Sequence, residues 1–403
     1  MSLFQRVAPL KATYDFMRSM GADPLRVEWD DVLSPTQAVK NGRVVTLAGT
    51  HNYLGLTFDP QVVGAAIDSL QKHGAGTTGS RIANGTYPEH AAFERELADF
   101  FGMPHAMVFS TGFLANLGVL ATVAGPDDVL LIDADSHASI YDACGLSKAQ
   151  IVRFRHNSAE DLDKRLERLK GHTGNKIIVI EGIYSMLGDR GAMREIVAVK
   201  EKHGAYLIVD QAHCFGVLGE NGLGLVEEVG MLDKADIIIG TFSKSLGCVG
   251  GFAVSNLPDF DAMRIVCRPY MFTASLPPSV MAGARAALNA IRTRPDLRAK
   301  LWRNAVFLYD NLAQAGFKLG PEKTPIIAVE LPSRELAIDT WRGLFDAGFY
   351  VNLALAPATP GGISLLRISV SAAHQPEQLQ GLAEALTRVA TSNGALATRL
   401  AAE

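Results

Sequence analysis

The chain of 403 residues is poor in cysteine, has no excess of basic residues and contains no long apolar run. Its four cysteines, Cys144, Cys214, Cys248 and Cys267, are scattered and form no C-x-x-C pair. That spacing argues against a zinc site or a disulfide framework and for reduced thiols in a cytoplasmic protein. Lys and Arg number 38 against 42 Asp and Glu, a net charge of -4, so the sequence offers no basic stripe for nucleic acid. Nor does a Lys/Arg cluster suggest a strong anchor on an anionic membrane. No run reaches the ~18 apolar residues of a membrane span. The opening "MSLFQRVAPLKATYDFMRSMGADP" carries charge too early and too often for a signal peptide. No transmembrane segment is expected, and weak peripheral contact with a membrane surface stays open.

What is present is enough apolar material, 48% of residues, for a large core and two or three domains. Short aliphatic runs recur: "HAMVFS" (105–110), "VLLIDA" (129–134), "KIIVIEG" (176–182), "AYLIVD" (205–210), "DIIIG" (236–240) and "GGFAVS" (250–255). Such runs fit strands buried on both faces. Between them "AEDLDKRLERLKG" (159–171) and "AMREIVAVKEKHG" (192–204) read as helices, each ended by Gly. The alternation predicts an α/β fold with a large, mostly parallel sheet. After "FTASLPPS" (272–279) two long helices, near 279–293 and 297–316, lead to strands near 325–331, 349–353 and 364–370 and a helix from 376. The expected division is a helical arm and connector over 1–45, a large α/β domain over 46–278 and a smaller α+β domain over 279–403. Residues 42–56 read as a β-hairpin or strand entering the large domain.

"GAGTTG" (74–79) matches the dinucleotide-binding pattern G-x-G-x-x-G but follows "PQVVGAAIDSLQKHG", whose apolar residues have helical spacing. The fingerprint needs a strand there, so this is a glycine-rich loop, one in which small residues could let a substrate come close.

The chemistry gathers elsewhere. "AYLIVD" ends in Asp210, with His213 three residues on, and Lys244 follows the next buried run in "GTFSKSLG". A carboxylate closing a buried parallel strand sits where such sheets bind ligands. An Asp and a Lys on two strand ends suit pyridoxal 5'-phosphate (PLP): the Lys binds its aldehyde covalently and the Asp keeps its ring nitrogen protonated. His213 would reach the ring's 3-oxygen, and Thr241 and Ser243 would serve the phosphate. Gly240 and Gly247 read as room for a planar ligand. "FSTGFLANLGVL" (109–120) places Ser110, Thr111, Gly112 and Phe113 at a helix start, a good phosphate site. His137, just past "VLLIDA", would stack on the ring. The bland readings are an Asp that caps a helix, a surface Lys in a Ser-rich turn and a structural His.

The segments "HNYLGL", "GTTGSR", "NGTYPEH", "STGFLAN", "DSHASIYD", "EGIYSMLGD", "VDQAHCFGVLGENGLG", "TFSKSLG", "RPYMFTASLPP" and "PATPGGISLLRIS" run in an order that resembles the α-oxoamine synthases. The resemblance covers residues from about 45 to 390. It implies PLP-dependent transferase fold type I, the aspartate aminotransferase-like fold, and a decarboxylating acyltransferase that joins an amino acid to an acyl thioester. Within the family it is closest to the bacterial members that use L-serine and a long-chain acyl donor, on coenzyme A or an acyl carrier protein. Members that use glycine or alanine and a shorter acyl-CoA are the alternative. Carried over residue by residue, Lys244 holds the cofactor, and both it and His137 are catalytic. Gly112, Phe113, Asp210, His213, Thr241 and Ser243 contact PLP. Thr273 and Ala274 reach the phosphate of the neighbouring subunit of a homodimer, whose sites are shared. Asn52, Ser80, Arg81 and Arg367 face the substrate, Arg367 as a fork for its carboxylate; the bland reading of Arg367 is a surface charge at a strand edge. No metal is implied. Three positions depart from the pattern: Leu355 stands where the late loop usually has Arg, Gln211 where an acidic residue follows the cofactor Asp, and Cys214 where a small hydroxyl residue follows the His.

Overall fold

The computed structural model describes residues 3–396. The aliphatic runs build one seven-stranded sheet: β1 (His105–Phe109), β2 (Val129–Asp133), β3 (Gln150–Phe154), β4 (Lys176–Glu181), β5 (Tyr206–Asp210), β6 (Ile237–Thr241) and β7 (Gly251–Ser255). Their spatial order is β1-β7-β6-β5-β4-β2-β3. The strands from β2 to β6 pair in parallel, whereas β7 is antiparallel to both of its neighbours, β6 and β1. The runs predict six of the seven. They pass over β3, which lies at the sheet edge and leaves every residue but Phe154 partly or fully exposed, so no continuous apolar run marks it.

Parallel neighbours need long crossovers, and the helices expected between the runs supply them. The one at Ala159–Arg168 buries Leu162 and Leu166, a turn apart, and Ser158 caps it by accepting from the Asp161 N–H at 3.2 Å. Glu160 and Asp161 in its first turn and Arg165 and Arg168 in its last complement its dipole. The β6–β7 connection is different. Antiparallel strands can be joined by a short loop, and residues 242–250 are that loop.

Packing divides the chain into two compact units: residues 54–185 with 189–299, and residues up to 53 with 186–188 and 300 onward. The helix Pro278–Thr293, expected to open the small domain, belongs to the larger unit. It buries Gly283, Ala284, Ala287 and Ala290, small residues that let it lie close on the helix Pro60–His73. In the smaller unit the N-terminal connector is more than a connector. Strand Arg43–Leu47 pairs antiparallel with Gln37–Lys40 and parallel with Phe349–Tyr350. The expected hairpin therefore exists, but it starts at residue 37 and joins the smaller unit, not the large domain. A second sheet there runs Lys318–Leu319, Ile326–Leu331, Ser364–Ser369, Asn352–Ala354, all antiparallel. "GAGTTG" follows the helix Pro60–His73 and is a loop, as the missing strand predicts. Among the described residues no helix is long and apolar enough to cross a membrane.

Candidate active site

The parallel strands end on one edge of the large sheet, where open α/β sheets bind ligands. Asp210 closes β5 and is paired in register with Glu181, which closes β4. Thr241 closes β6. A cavity of about 280 Å³ opens at this edge, and Gly112, Phe113, His137, Asp210, His213, Thr241, Ser243 and Lys244 all line it. The sequence reading thus gathered eight residues that lie up to 132 positions apart in the chain around one space.

Lys244 sits in the tight β6–β7 loop. The Phe242 N–H donates to the Gly250 carbonyl at 2.9 Å, Cys248 N–H to the Phe242 carbonyl at 3.0 Å, and Gly247 N–H to the Lys244 carbonyl at 3.0 Å. Gly250 has φ 145°, and a Cβ there would come within 2.1 Å of the Phe242 ring. Gly240 lines the cavity, and a Cβ on it would meet the Phe252 ring at 2.4 Å, so core packing also requires a glycine there. Gly247 is required by its turn, with φ 64°. Thr241 Oγ1 donates to the Gly250 carbonyl at 3.0 Å and accepts from the Ser243 hydroxyl at 2.9 Å, which ties both hydroxyls to the loop. Burial pushes the Cys248 thiol in the same loop up to about 11, so near neutral pH it is no nucleophile.

Opposite the loop, helix α1 (Gly112–Val123) starts against the sheet edge, with Thr111 Oγ1 accepting from the Leu114 N–H at 3.0 Å. A Cβ on Gly112 would come within 2.8 Å of Thr241, so only glycine lets the helix start this close. Its first-turn N–H groups have no carbonyl within the helix to bind. One turn on, Asn116 also lines the cavity and donates from Nδ2 to Asp210 Oδ2 at 2.7 Å. Asp210 Oδ1 accepts the Ala212 N–H at 2.8 Å. His137 precedes helix α2 (Ala138–Ser147), which it caps through Nδ1, and its own N–H donates to Glu181 Oε1. Burial pushes the His137 pKa down, and the charge of Lys244 adds to this against the pull of Asp210. Burial and the neighbouring Asp210 push Glu181 well above the carboxylate range. Asn116, Ser139 and Glu181 line the cavity and were not marked in the sequence.

Glu181 continues into the turn that carries Asp189. His156, after β3, donates from Nδ1 to Asp133 Oδ1 at 2.8 Å and from Nε2 to Asp189 Oδ2 at 2.7 Å, with Tyr184 edge-on at 4.5 Å. Burial lowers its pKa, but the hydrogen bonds and charges of the two carboxylates outweigh this and raise it to about 10. The unfolded value is ~6.5. The pair of links therefore stabilises the fold fully below about pH 6.5, and the contribution is lost as pH rises toward about 10. Denaturant unfolding at pH 6 and pH 9 should show the wild type losing about 3 kcal/mol more than a His156→Gln variant. Equal losses in the two proteins would remove His156 from this role.

The remaining expected site residues lie off this cavity. Ser80 and Ala274 form an isolated antiparallel bridge, and the Ala274 carbonyl accepts from Ser110 Oγ at 2.8 Å. Thr273 lies in the same loop and, with Arg81, lines a separate small recess. Arg81 is buried, donates to Glu94 at 2.8 Å and to Thr86 Oγ1 at 3.1 Å, and stacks over Tyr270. In the smaller unit Arg367 occupies the middle of strand Ser364–Ser369, which is paired on both sides, and is only 6% exposed. The surface-charge reading of Arg367 is thereby excluded. Its Nη1 donates to His51 Nε2 at 2.6 Å, and burial pushes its pKa down, partly offset by Tyr53. Asn52 is buried in the same unit, and its carbonyl accepts from Ser371 Oγ at 2.6 Å. Of the departures from pattern, Gln211 is fully buried and accepts through Oε1 from the Leu225 N–H at 3.0 Å and from Cys214, which makes the two changes one packed unit. Leu355 is buried.

The donor set fits PLP. A half-buried amine, a buried carboxyl, an imidazole and a helix start share one cavity, and Asn116 Oδ1, buried there, has no hydrogen-bond partner among the described residues. The chain is 52% identical over 396 residues to the serine palmitoyltransferase of Caulobacter vibrioides (strain NA1000 / CB15N), covering 98% of each sequence. It is also similar to the solved serine palmitoyltransferase of Sphingomonas wittichii, with 49% identity and a TM-score of 0.96 over 98% of this chain and 100% of that one. A solved structure of SPT with PLP internal aldimine matches over the same shares, at 48% identity and a TM-score of 0.95. The family model for class I and II aminotransferases spans residues 44–386, from strand Arg43–Leu47 to the last helix, and to that family this chain belongs.

Proposed function

We propose that the chain is a PLP-dependent serine palmitoyltransferase, which condenses L-serine with a long-chain acyl thioester, with loss of carbon dioxide, to give a 3-ketosphinganine-type product for sphingolipid synthesis. The observation that carries this reading is the meeting of Lys244, Asp210 and His137 in one cavity of a chain half identical to such enzymes along nearly its whole length. PLP, when bound, supplies the electron sink that makes the Cα–H of serine acidic. The Lys244 Nζ would hold the cofactor through its aldehyde, and the same amine is the group placed to take the Cα proton of serine. Asp210 would keep the ring nitrogen protonated, His213 would meet the 3-oxygen, and His137 would cover the ring face. The start of α1 with Thr241 and Ser243 would hold the phosphate. The serine Cα then bonds to the acyl carbonyl carbon, the thiol leaves, the carboxylate departs as carbon dioxide, and a proton returns to Cα. Arg367 is the guanidinium assigned to the substrate carboxylate, since the late loop carries Leu355 instead of Arg; Asn52, Ser80 and Arg81 complete the substrate side. For Arg81 this is a role through the loop it braces, because its head group is engaged by Glu94.

A cytoplasmic homodimer is proposed, with Thr273 and Ala274 serving the partner's phosphate. Four free cysteines support the compartment. Exposed Ile265, Val266 and Phe272, next to those two residues in the chain, support an interface there. Mass spectrometry of products from carboxyl- and Cα-labelled serine with thioesters of several chain lengths tests the reaction. The Cα label should appear in a long-chain ketone and the carboxyl label in carbon dioxide. Turnover of glycine or alanine with short acyl-CoA in preference to serine would assign the chain to another α-oxoamine synthase.

A further inference from the structure

Two residues to which the sequence reading gave no role join the acid of the cavity to its imidazole. Asn116 Nδ2 donates to Asp210 Oδ2 at 2.7 Å and to Ser139 Oγ at 2.9 Å, and Ser139 Oγ lies 2.8 Å from His137 Nδ1. Asn116 and Ser139 are 3% and 1% exposed, so water does not compete for these bonds.

The protons of this chain can be assigned one by one. The Ser139 backbone N–H, which can only donate, points at His137 Nδ1 at 3.2 Å. Nδ1 is therefore an acceptor and bears no proton. The Ser139 hydroxyl, facing the same atom, must then donate to it, and its oxygen lone pair is left for the amide of Asn116. That amide spends its other N–H on Asp210. Each link admits one direction.

We propose that Asn116 and Ser139 are positioning residues that fix His137 as the neutral tautomer with its proton on Nε2, leaving that N–H as the ring's donor. The assignment deepens the proposed function, on which its catalytic meaning rests: a ring locked this way can cover a flat cofactor and donate to a substrate oxygen, but it cannot act as a base through Nδ1. The titratable groups around the ring are Asp210 on β5, Lys244 in the β6–β7 loop and Asp142 on α2, with Glu181 on β4 pushed well above the carboxylate range by burial. They do not dictate which nitrogen is protonated; the two donors at Nδ1 do.

The test is ring nitrogen NMR on the full chain, labelled with ring-¹⁵N histidine, with and without PLP, and with His137→Gln to assign the signal. At pH 7 His137 should show a protonated Nε2 and a bare Nδ1. Ser139→Ala should raise the midpoint of its titration by about one pH unit, the tenfold that one ordinary hydrogen bond supplies. Ser139→Thr, which keeps the hydroxyl, should stay within a few tenths of wild type. Asn116→Leu should move it in the same direction as Ser139→Ala, because the serine oxygen is then free to accept from a protonated Nδ1. A wild-type ring protonated at Nδ1, or a midpoint that neither Ser139→Ala nor Asn116→Leu shifts, overturns the proposal. The readout needs no turnover. If serine is not a substrate, the tautomer result stands or falls by itself; if Nδ1 carries the proton while serine condenses, this inference fails and the proposed function survives.

Discussion

Lys244→Ala is expected to lower kcat/KM for serine and palmitoyl-CoA by at least ~10³-fold and to abolish the absorbance near the visible edge of lysine-bound PLP. Two contributions are removed together. The amine anchors the cofactor, and after displacement it is the group placed to take the Cα proton, a role worth ~10²–10⁴-fold. The fold should not suffer. The loop around Lys244 is held by backbone bonds and by its glycines, and Lys244 contributes to those only its carbonyl, which alanine keeps. PLP should still bind, because the start of α1, Asp210 and the Thr241–Ser243 pair are untouched. A variant that kept the absorbance band and turned over within tenfold of wild type would mean that another amine does this work.

Most of the large sheet was legible because strands buried on both faces have to be apolar throughout. Where that requirement lapsed, so did the reading: β3 exposes Gln150, Ile151 and Arg153 at the sheet edge and looks like loop sequence. The hairpin Gln37–Lys40 with Arg43–Leu47 was placed in the wrong unit because its partner, Phe349–Tyr350, is some 300 residues away, and no local pattern records a pairing of that separation. Site residues divide in a similar way. Lys244, Asp210 and His137 stand at strand ends and announce themselves. Glu181 ends "KIIVIE" as Asp210 ends "YLIVD", so the same strand-end rule, applied evenly, would have found it. Asn116 follows Gly112 by four residues, one helical turn, and shares its face. Gly240 lines the cavity, but that is only part of why it is a glycine. A glycine beside a site invites a functional reading, whereas the atom that fills its space is a core phenylalanine ring, which one dimension of sequence does not show.

Asp210→Asn should cost on the order of 10³-fold in kcat/KM while leaving the fold and PLP binding in place. The side chain keeps its shape, and its oxygen can still meet Asn116 Nδ2 or the Ala212 N–H, so the loss is one of charge. An opposite charge within ~4–6 Å raises the pKa of a basic nitrogen by 1–3 units. Without it the ring nitrogen of PLP loses its proton near neutral pH, and each lost unit is a factor of ten in the protonated fraction. The neighbouring carboxyl does not step in. Glu181 is 3% exposed, and burial, the largest influence on it, persists after the Asp210 charge is gone. Asp210→Glu, which retains a carboxylate on a longer stem, should recover part of the rate, and Glu181→Gln should leave the absorbance of bound PLP close to wild type, since burial already disfavours a charge at that position. If instead Asp210→Asn turned over within tenfold of wild type, the acid would be a structural partner of Asn116 and the electron sink would have to be maintained without it.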